Sequence, residues 1–153
     1  MLVVPDASVL AGWVLPDEED CAGSERLMAD VEAKRAALMA PPLLKHELVN
    51  ALSVAVRRRR ITPEDAVLAW DAFVGLGILF ADIDRLGRSV LALSSIPGVT
   101  AYDATYVAVA ESYGCTCYTL DRKLVTVLRG HTDRVRLVSE YPSNPPPDCG
   151  VHS

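Results

Sequence analysis

Short apolar segments alternate with helical patterns along most of this chain. Four apolar segments are predicted as strands, over residues 2–4, 36–40, 78–81 and 115–120, and a fifth, over residues 134–138, alternates charged and apolar residues as an edge strand does. Two successive helical patterns separate the second segment from the third. Parallel neighbouring strands need a crossover connection, which is usually a helix. The alternation therefore predicts an α/β fold, a three-layer α/β/α sandwich around a mainly parallel five-stranded sheet.

Helix boundaries follow from capping and stop signals. The predicted helices cover residues 8–15, 25–35, 43–60, 63–74, 84–94, 103–113 and 124–128. Thr62-Pro63-Glu64 is a typical helix start, and Gly114 is a typical helix end. Pro5 lacks a backbone donor, so we expect it at the last paired position of the first strand or just beyond it.

The chain is the size of one domain. Its 153 residues are half apolar, so they can bury a core without disulfides. We expect a single domain over residues 1–140 and a proline-rich C-terminal tail over residues 141–153. The four cysteines form no CxxC pair and are expected as reduced thiols. With no signal peptide and no membrane-length apolar run, the protein is expected to be cytoplasmic and not to associate with a membrane.

Four acidic residues lie where apolar segments give way to helices or inside the helix that follows. Asp6 follows the first strand, Asp121 follows the fourth, Asp103 begins the helix before the fourth strand, and Glu47 lies in the helix after the second. Strands one and four would flank the switch point of the sheet, where ligands bind in such folds. A group of carboxylates without a built-in cation favours a hard divalent ion, Mg2+ or Mn2+.

Each acid also has a purely structural interpretation. Aspartate is a preferred N-cap residue, and Asp6, Asp103 and Asp121 all precede or begin helices. Glu47 lies one turn inside its helix, where an ordinary glutamate would be a solvated surface residue. Only their meeting in space would separate the two interpretations.

Four motifs carry a resemblance to a known family. They are Val-Val-Pro-Asp-Ala-Ser-Val-Leu from residue 3, Glu-Leu-Val-Asn-Ala-Leu from residue 47, Tyr-Asp-Ala-Thr-Tyr-Val-Ala-Val-Ala from residue 102 and Tyr-Thr-Leu-Asp-Arg-Lys-Leu from residue 118. In this order they resemble the PIN-domain ribonucleases, and among these the VapC-type toxins of toxin-antitoxin pairs. Pro5 departs from the pattern, because such proteins more often have an aliphatic residue there.

The resemblance implies a specific chemistry. The four acids, Asp6, Glu47, Asp103 and Asp121, would be the metal-binding and catalytic carboxylates of an Mg2+- or Mn2+-dependent endoribonuclease, with Ser8, Asn50 and Thr119 in support. The substrate would be RNA. The chain would form a homodimer and be neutralised by a cognate VapB-like antitoxin. Two alternatives stay open: a catalytically silent PIN-like interaction module, and a housekeeping PIN nuclease without an antitoxin.

Other candidate signals are weaker. The net charge of −5 argues against indiscriminate nucleic-acid binding, although Arg57 to Arg60 form one dense basic run at the end of a helix, where cations are also favoured on electrostatic grounds. His46 does not begin a zinc-protease motif, because residue 50 is asparagine. An aspartyl-phosphatase would need a second aspartate where Ser8 stands. A receiver domain would need a late phosphate-binding lysine, for which Lys123 is poorly placed.

Overall fold

A parallel sheet forms the centre of the molecule. The computed structural model describes residues 1–15 and 22–143. The strands are β1 (Leu2–Pro5), β2 (Ala37–Ala40), β3 (Leu79–Phe80), β4 (Thr116–Thr119) and β5 (Val135–Leu137). They lie in the order β3-β2-β1-β4-β5, and every neighbouring pair is parallel. The predicted five-stranded parallel sheet is confirmed, with strands one and four side by side.

Seven α-helices flank the sheet within the described residues and complete the α/β/α sandwich. They are α1 (Ala7–Val14), α2 (Ala22–Glu32), α3 (Leu43–Arg57), α4 (Pro63–Gly75), α5 (Gly87–Ser94), α6 (Ala101–Ser112) and α7 (Arg122–Leu128). Short 3-10 helices occupy Ile83–Arg85 and Val138–Glu140. The predicted pair of helices between the second and third strands corresponds to α3 and α4.

The central strand β1 is buried along most of its length. Val3, Val4 and Pro5 are all buried, as expected for a strand covered on both faces by helices. Pro5 is the last residue of the strand and pairs with Tyr118. The next backbone N–H, that of Asp6, donates to the Tyr118 carbonyl at 3.0 Å. The predicted position of Pro5, at the last paired position of the first strand, is confirmed.

Most predicted elements differ from the observed ones by one to three residues at an end; the helix predicted over residues 25–35, for example, is Ala22–Glu32. The helix predicted through residue 60 ends at Arg57, and the strand predicted over residues 78–81 is only Leu79–Phe80, both exposed at the edge of the sheet. The helix predicted over residues 84–94 is divided into a 3-10 turn and α5. The Asp82 side chain caps this turn by accepting from the N–H of Asp84, which starts a separate short helix.

The last described residues pack against the fold. Tyr141 is buried, and its hydroxyl donates to Asp30 Oδ2 at 2.7 Å. Its ring meets Tyr118 edge-on with 5.4 Å between centroids. Packing therefore continues one residue into the segment predicted as a tail, and the prolines at 145–147 lie outside the described residues.

The predictions of reduced cysteines and of no membrane-length helix can be compared with the described residues. Cys115 and Cys117 are buried free thiols, as predicted, whereas Cys21 and Cys149 lie outside the described residues. None of the described helices is both long and apolar enough to cross a bilayer.

Candidate functional site

The four predicted acids line one cleft of about 200 Å3. Its lining consists of Asp6, Ala7, Ser8, Glu47, Asp103, Tyr106, Cys117, Asp121 and Leu124. The cleft lies at the carboxyl ends of β1 and β4. From β1 the chain proceeds to β2 on one side of the sheet, and β4 lies on the other side, so this is the topological switch point. The meeting of the four acids, which the sequence could only predict, is observed.

Asp6 is held where β1 gives way to α1. It is the N-cap of α1, and its Oδ1 accepts hydrogen bonds from the N–H of Val9 at 3.2 Å and from the Ser8 hydroxyl at 2.5 Å. Burial raises the pKa of the Asp6 carboxyl, and the hydrogen bonds from Ser8, Thr119 and Val9 only partly offset this effect. The structure thus keeps a carboxylate at a depth where its charge is unfavourable.

Ser8 and Thr119 connect the ends of the two central strands. The Ser8 hydroxyl donates to Asp6 and also accepts from the N–H of Leu120 at 3.1 Å. The buried Thr119 hydroxyl accepts from the N–H of Asp121 at 2.9 Å and also bonds to Asp6. Both predicted support residues therefore fix the positions of Asp6 and Asp121 relative to each other.

Glu47 extends into the cleft from α3. Burial raises the pKa of its carboxyl, a hydrogen bond from Tyr106 lowers it, and the neighbouring charges of Asp6 and Asp103 raise it again. The Tyr106 hydroxyl donates to Glu47 Oε2, and burial together with this bond holds the pKa of the phenol far above its ordinary value. Glu47 is therefore a half-buried acid within electrostatic range of two other acids, not a solvated surface glutamate.

Asp103 and Asp121 are both fixed by helix-capping bonds. Asp103 is the third residue of α6 and forms a capping box with Thr100, whose N–H and hydroxyl donate to Asp103 Oδ2 at 3.2 and 2.6 Å. Asp121 is the N-cap of α7, and its Oδ1 accepts from the N–H groups of Lys123 and Leu124 at 2.9 and 3.0 Å. Asp103 and Asp121 therefore each take part in capping a helix and also line the cleft.

The donor chemistry of the cleft suits a hard divalent cation. In the described part of the chain, one oxygen each of Glu47, Asp103 and Asp121 accepts no hydrogen bond: Oε1, Oδ1 and Oδ2, respectively. Among the described residues, no lysine, arginine or histidine lines the cleft to balance these carboxylates. Oxygen ligands of this type fit Mg2+ or Mn2+ better than Zn2+.

The side chains are not arranged as a closed coordination shell. Across residues 1–15 and 22–143, no three His, Cys, Asp or Glu side chains are close enough to hold one ion together in this conformation. Their capping and support bonds hold the acids around the cleft. Convergence of three of these acids on a single ion would require some of their side chains to rotate.

Two predicted features lie away from the acids. Asn50 is exposed and, with His46, lines a separate groove of about 400 Å3 beside Trp70. Arg57, the last residue of α3, and Arg58 to Arg60 after it are exposed. At 1.5 Å per helical residue, Arg57 lies about 15 Å along the axis from Glu47. Neither Asn50 nor this basic run belongs to the described lining of the cleft.

No role for Tyr106 or Thr100 followed from the sequence motifs. Tyr106 follows Asp103 by three residues, which places both on one face of α6, and Thr100 precedes Asp103 by three in a capping-box pattern. These two three-residue spacings are the features of the sequence that could have pointed to Thr100 and Tyr106. The Glu47 contact itself joins residues 59 positions apart, which no local pattern reveals.

Comparison with known proteins identifies the family. The PIN domain family matches residues 3–128, a region that includes all four acids. Ribonuclease VapC3 from Pyrobaculum aerophilum is 32% identical to the chain over 129 residues, which cover 81% of this chain and 92% of that protein. The crystal structure of PAE2754 from Pyrobaculum aerophilum aligns with a TM-score of 0.57 at 25% identity, covering 83% of this chain and 79% of that one. As the four motifs predicted, the chain belongs to the PIN domain family.

Proposed function

We propose that the protein is a divalent-metal-dependent endoribonuclease that acts as the toxin of a toxin-antitoxin pair. The observation that carries the proposal is the cleft at the switch point, where four carboxylates from four separate segments meet with no cationic side chain among the described lining residues. The similarity to a protein named Ribonuclease VapC3 supports the same conclusion. RNA is the proposed substrate.

Asp6, Glu47, Asp103 and Asp121 would hold the metal, Mg2+ or Mn2+. A bound ion of this type lowers the pKa of water and neutralises charge on a phosphodiester. Asp6 and Asp121 are fixed by backbone N–H groups at the starts of α1 and α7, and Asp103 is fixed by Thr100. Ser8 and Thr119 hold the segment after β1 and the segment after β4 in fixed positions relative to each other. Asn50 is proposed to contact RNA from the adjoining groove, since it lies outside the cleft.

The described lining of the cleft offers no side chain suited to covalent catalysis. The Ser8 hydroxyl already donates to Asp6 and accepts from the N–H of Leu120, and none of the lining residues that the structure describes is a histidine that could act as its base. Burial raises the pKa of Cys117 well above its ordinary value, so this residue is a thiol and not a nucleophilic thiolate. Hydrolysis by water should leave a 5′-phosphate and a 3′-hydroxyl. A 2′,3′-cyclic phosphate product would contradict the proposal.

The proposed partners are a VapB-like antitoxin and a second copy of the chain, in the cytoplasm. Exposed apolar side chains on α3 and α4 support binding of a protein partner. Val49 and Val67 are at least half exposed, and with Trp70 they line a groove of about 350 Å3. Contiguous exposed apolar surface of this type is characteristic of interaction sites.

The decisive experiment is cleavage of a mixed, end-labelled RNA by the purified protein with Mg2+, with Mn2+ or with EDTA. Asp6→Asn is measured in parallel. Asparagine is as good an N-cap as aspartate, so α1 should keep its capping bond while the carboxylate charge is lost. Metal-dependent cleavage that Asp6→Asn abolishes is the expected result. Cleavage in EDTA, or near wild-type cleavage by the variant, would refute the assignment.

One observation favours the silent interaction module as a second candidate. The acids are held apart by their capping bonds, and no three of the described candidate side chains are within reach of one ion. Mn2+ titration of the metal-free protein discriminates between the two functions. Saturable binding that Asp6→Asn weakens supports the nuclease, with or without an antitoxin, whereas absence of binding supports the module.

A further inference from the structure

Glu47 depends on a partner that none of the other three acids needs. Asp6 and Asp121 accept hydrogen bonds from backbone N–H groups in their own loops, and Asp103 accepts from its capping partner three residues away. Glu47 lies inside α3, where the backbone N–H groups are used by the helix. Its carboxylate is held by Tyr106, whose hydroxyl donates to Oε2 from the distant helix α6.

This contact joins two elements that are otherwise not linked by side-chain hydrogen bonds. In the described residues, it is the only side-chain hydrogen bond between α3 and α6. Tyr106 is buried, so its ring is fixed by packing and its hydroxyl has a defined position. A glutamate has three rotatable bonds, and ordering such a side chain costs conformational entropy. A rigid donor at its end reduces the number of positions that it samples.

Electrostatic forces oppose the position that Glu47 adopts. Asp6 and Asp103 are close enough for their charges to act unfavourably on the Glu47 carboxylate. Within residues 1–15 and 22–143, no cationic side chain lines the cleft to hold it there. Without the Tyr106 hydroxyl, rotation of Glu47 away from the other acids and toward water would relieve both the repulsion and the desolvation.

We propose that Tyr106 is a positioning residue for Glu47: its hydroxyl holds Oε2 at the cleft and so leaves Oε1 available to bind a divalent cation. Because Tyr106 lies one turn after Asp103, α6 supplies one acid and the group that positions another. This inference rests on the proposed function, since it requires that the cleft bind a metal.

The test is the Mn2+ affinity of the metal-free protein, measured by calorimetry for wild type and for Tyr106→Phe. Phenylalanine keeps the buried ring, so we expect the variant to fold, which circular dichroism checks. Loss of a group that orients a metal ligand typically weakens binding about 10- to 100-fold, and we expect a loss in that range. Tyr113→Phe removes a hydroxyl from a half-exposed tyrosine just beyond α6 and should leave the affinity unchanged.

The same substitution in the Glu47→Gln background separates positioning from a general structural role. If Tyr106 acts through Glu47, removing its hydroxyl should have little further effect on Mn2+ affinity once Glu47 is neutral. Equal losses in both backgrounds, or an unchanged affinity in Tyr106→Phe alone, would overturn the inference while the proposed nuclease stands. If the wild type itself binds no Mn2+, the proposed metal-dependent function fails and this inference fails with it.

Discussion

At the scale of single residues, helix capping and a role in the cleft are not alternatives. Asp6 and Asp121 are N-caps and Asp103 belongs to a capping box, yet all three line the cleft with Glu47. A carboxylate has two oxygens, so one can cap a helix while the other faces the cleft. The choice between the two interpretations of the sequence was therefore a false one, because the residues satisfy both.

Two similar capping boxes allow a matched test of Asp103. Thr62 and Asp65 form the same box at the start of α4 that Thr100 and Asp103 form at the start of α6, but Asp65 is exposed and outside the cleft. We expect Asp103→Asn to lower RNA cleavage about 100-fold or more, since removing one group that stabilises developing charge commonly costs that much. Asp65→Asn should cleave like wild type.

Stability should not distinguish the two capping-box variants. Both lose the same kind of bond, and each should change the free energy of unfolding by about 1 kcal/mol or less. Urea unfolding of both proteins checks this. A much larger loss of stability in Asp103→Asn would mean that its loss of activity reflects misfolding, and equal activities would remove Asp103 from the proposed site.

The raised pKa of Glu47 predicts how stability depends on pH. The pKa of this carboxyl is higher in the folded protein than its ordinary value of 4.5. Such a group stabilises the folded protein at pH values below 4.5, where it is protonated, and this stabilisation is lost as the pH rises through the folded-state pKa. In EDTA, Glu47→Gln should therefore gain thermal stability relative to wild type as the pH rises from about 4 to 7. Melting curves at several pH values measure the difference. A difference that shrinks with rising pH would show that the folded protein favours the ionised form.

At the scale of secondary structure, sequence signals were accurate where they were explicit. The Thr-Pro start of α4 and the glycine stop after α6 are observed, with Gly114 in a left-handed conformation at φ 64°. The end of α3 was predicted too late because no glycine marks it. Instead Arg59 adopts a left-handed φ of 57°, and the N–H of Arg60 closes the helix on the Ala55 carbonyl at 2.9 Å. Basic side chains continued the helical pattern past the true end.

The end of α3 gives a prediction on stability. A left-handed conformation costs a non-glycine residue about 1–2 kcal/mol, while glycine loses about 0.5–1 kcal/mol through its freer unfolded chain. Arg59→Gly should therefore raise the free energy of unfolding by up to about 1 kcal/mol, measured by urea titration. Arg58, at φ −84°, has no such strain, so Arg58→Gly should lower it. The prediction fails if both glycine variants change stability in the same direction.

At the scale of the whole molecule, the alternation of elements was enough to predict the sheet and its switch point. Strand order then put Asp6 and Asp121 at neighbouring strand ends, and this much of the site could be foreseen. The contact of Glu47 with Tyr106 could not, because it depends on how α3 and α6 pack over the sheet. Nor could the sequence show that capping bonds keep the acids apart in this conformation, since that depends on side-chain rotamers.

Metal binding should stabilise the whole fold if the cleft is the proposed site. Ions that bind only the folded protein add RT ln(1 + [L]/Kd), which is about 2.7 kcal/mol at a hundredfold excess over Kd. For a domain of this size, that corresponds to a rise in Tm of about 5–10 °C. Thermal melts of wild type should show this rise in Tm with Mn2+, and melts of Asp65→Asn should show the same rise.

Asp6→Asn should behave differently. Without metal, its Tm should equal or exceed that of wild type, because the substitution removes an unfavourably buried charge. The rise in Tm that Mn2+ causes should be much smaller in this variant. An equal gain in Asp6→Asn would place the bound ion elsewhere on the protein.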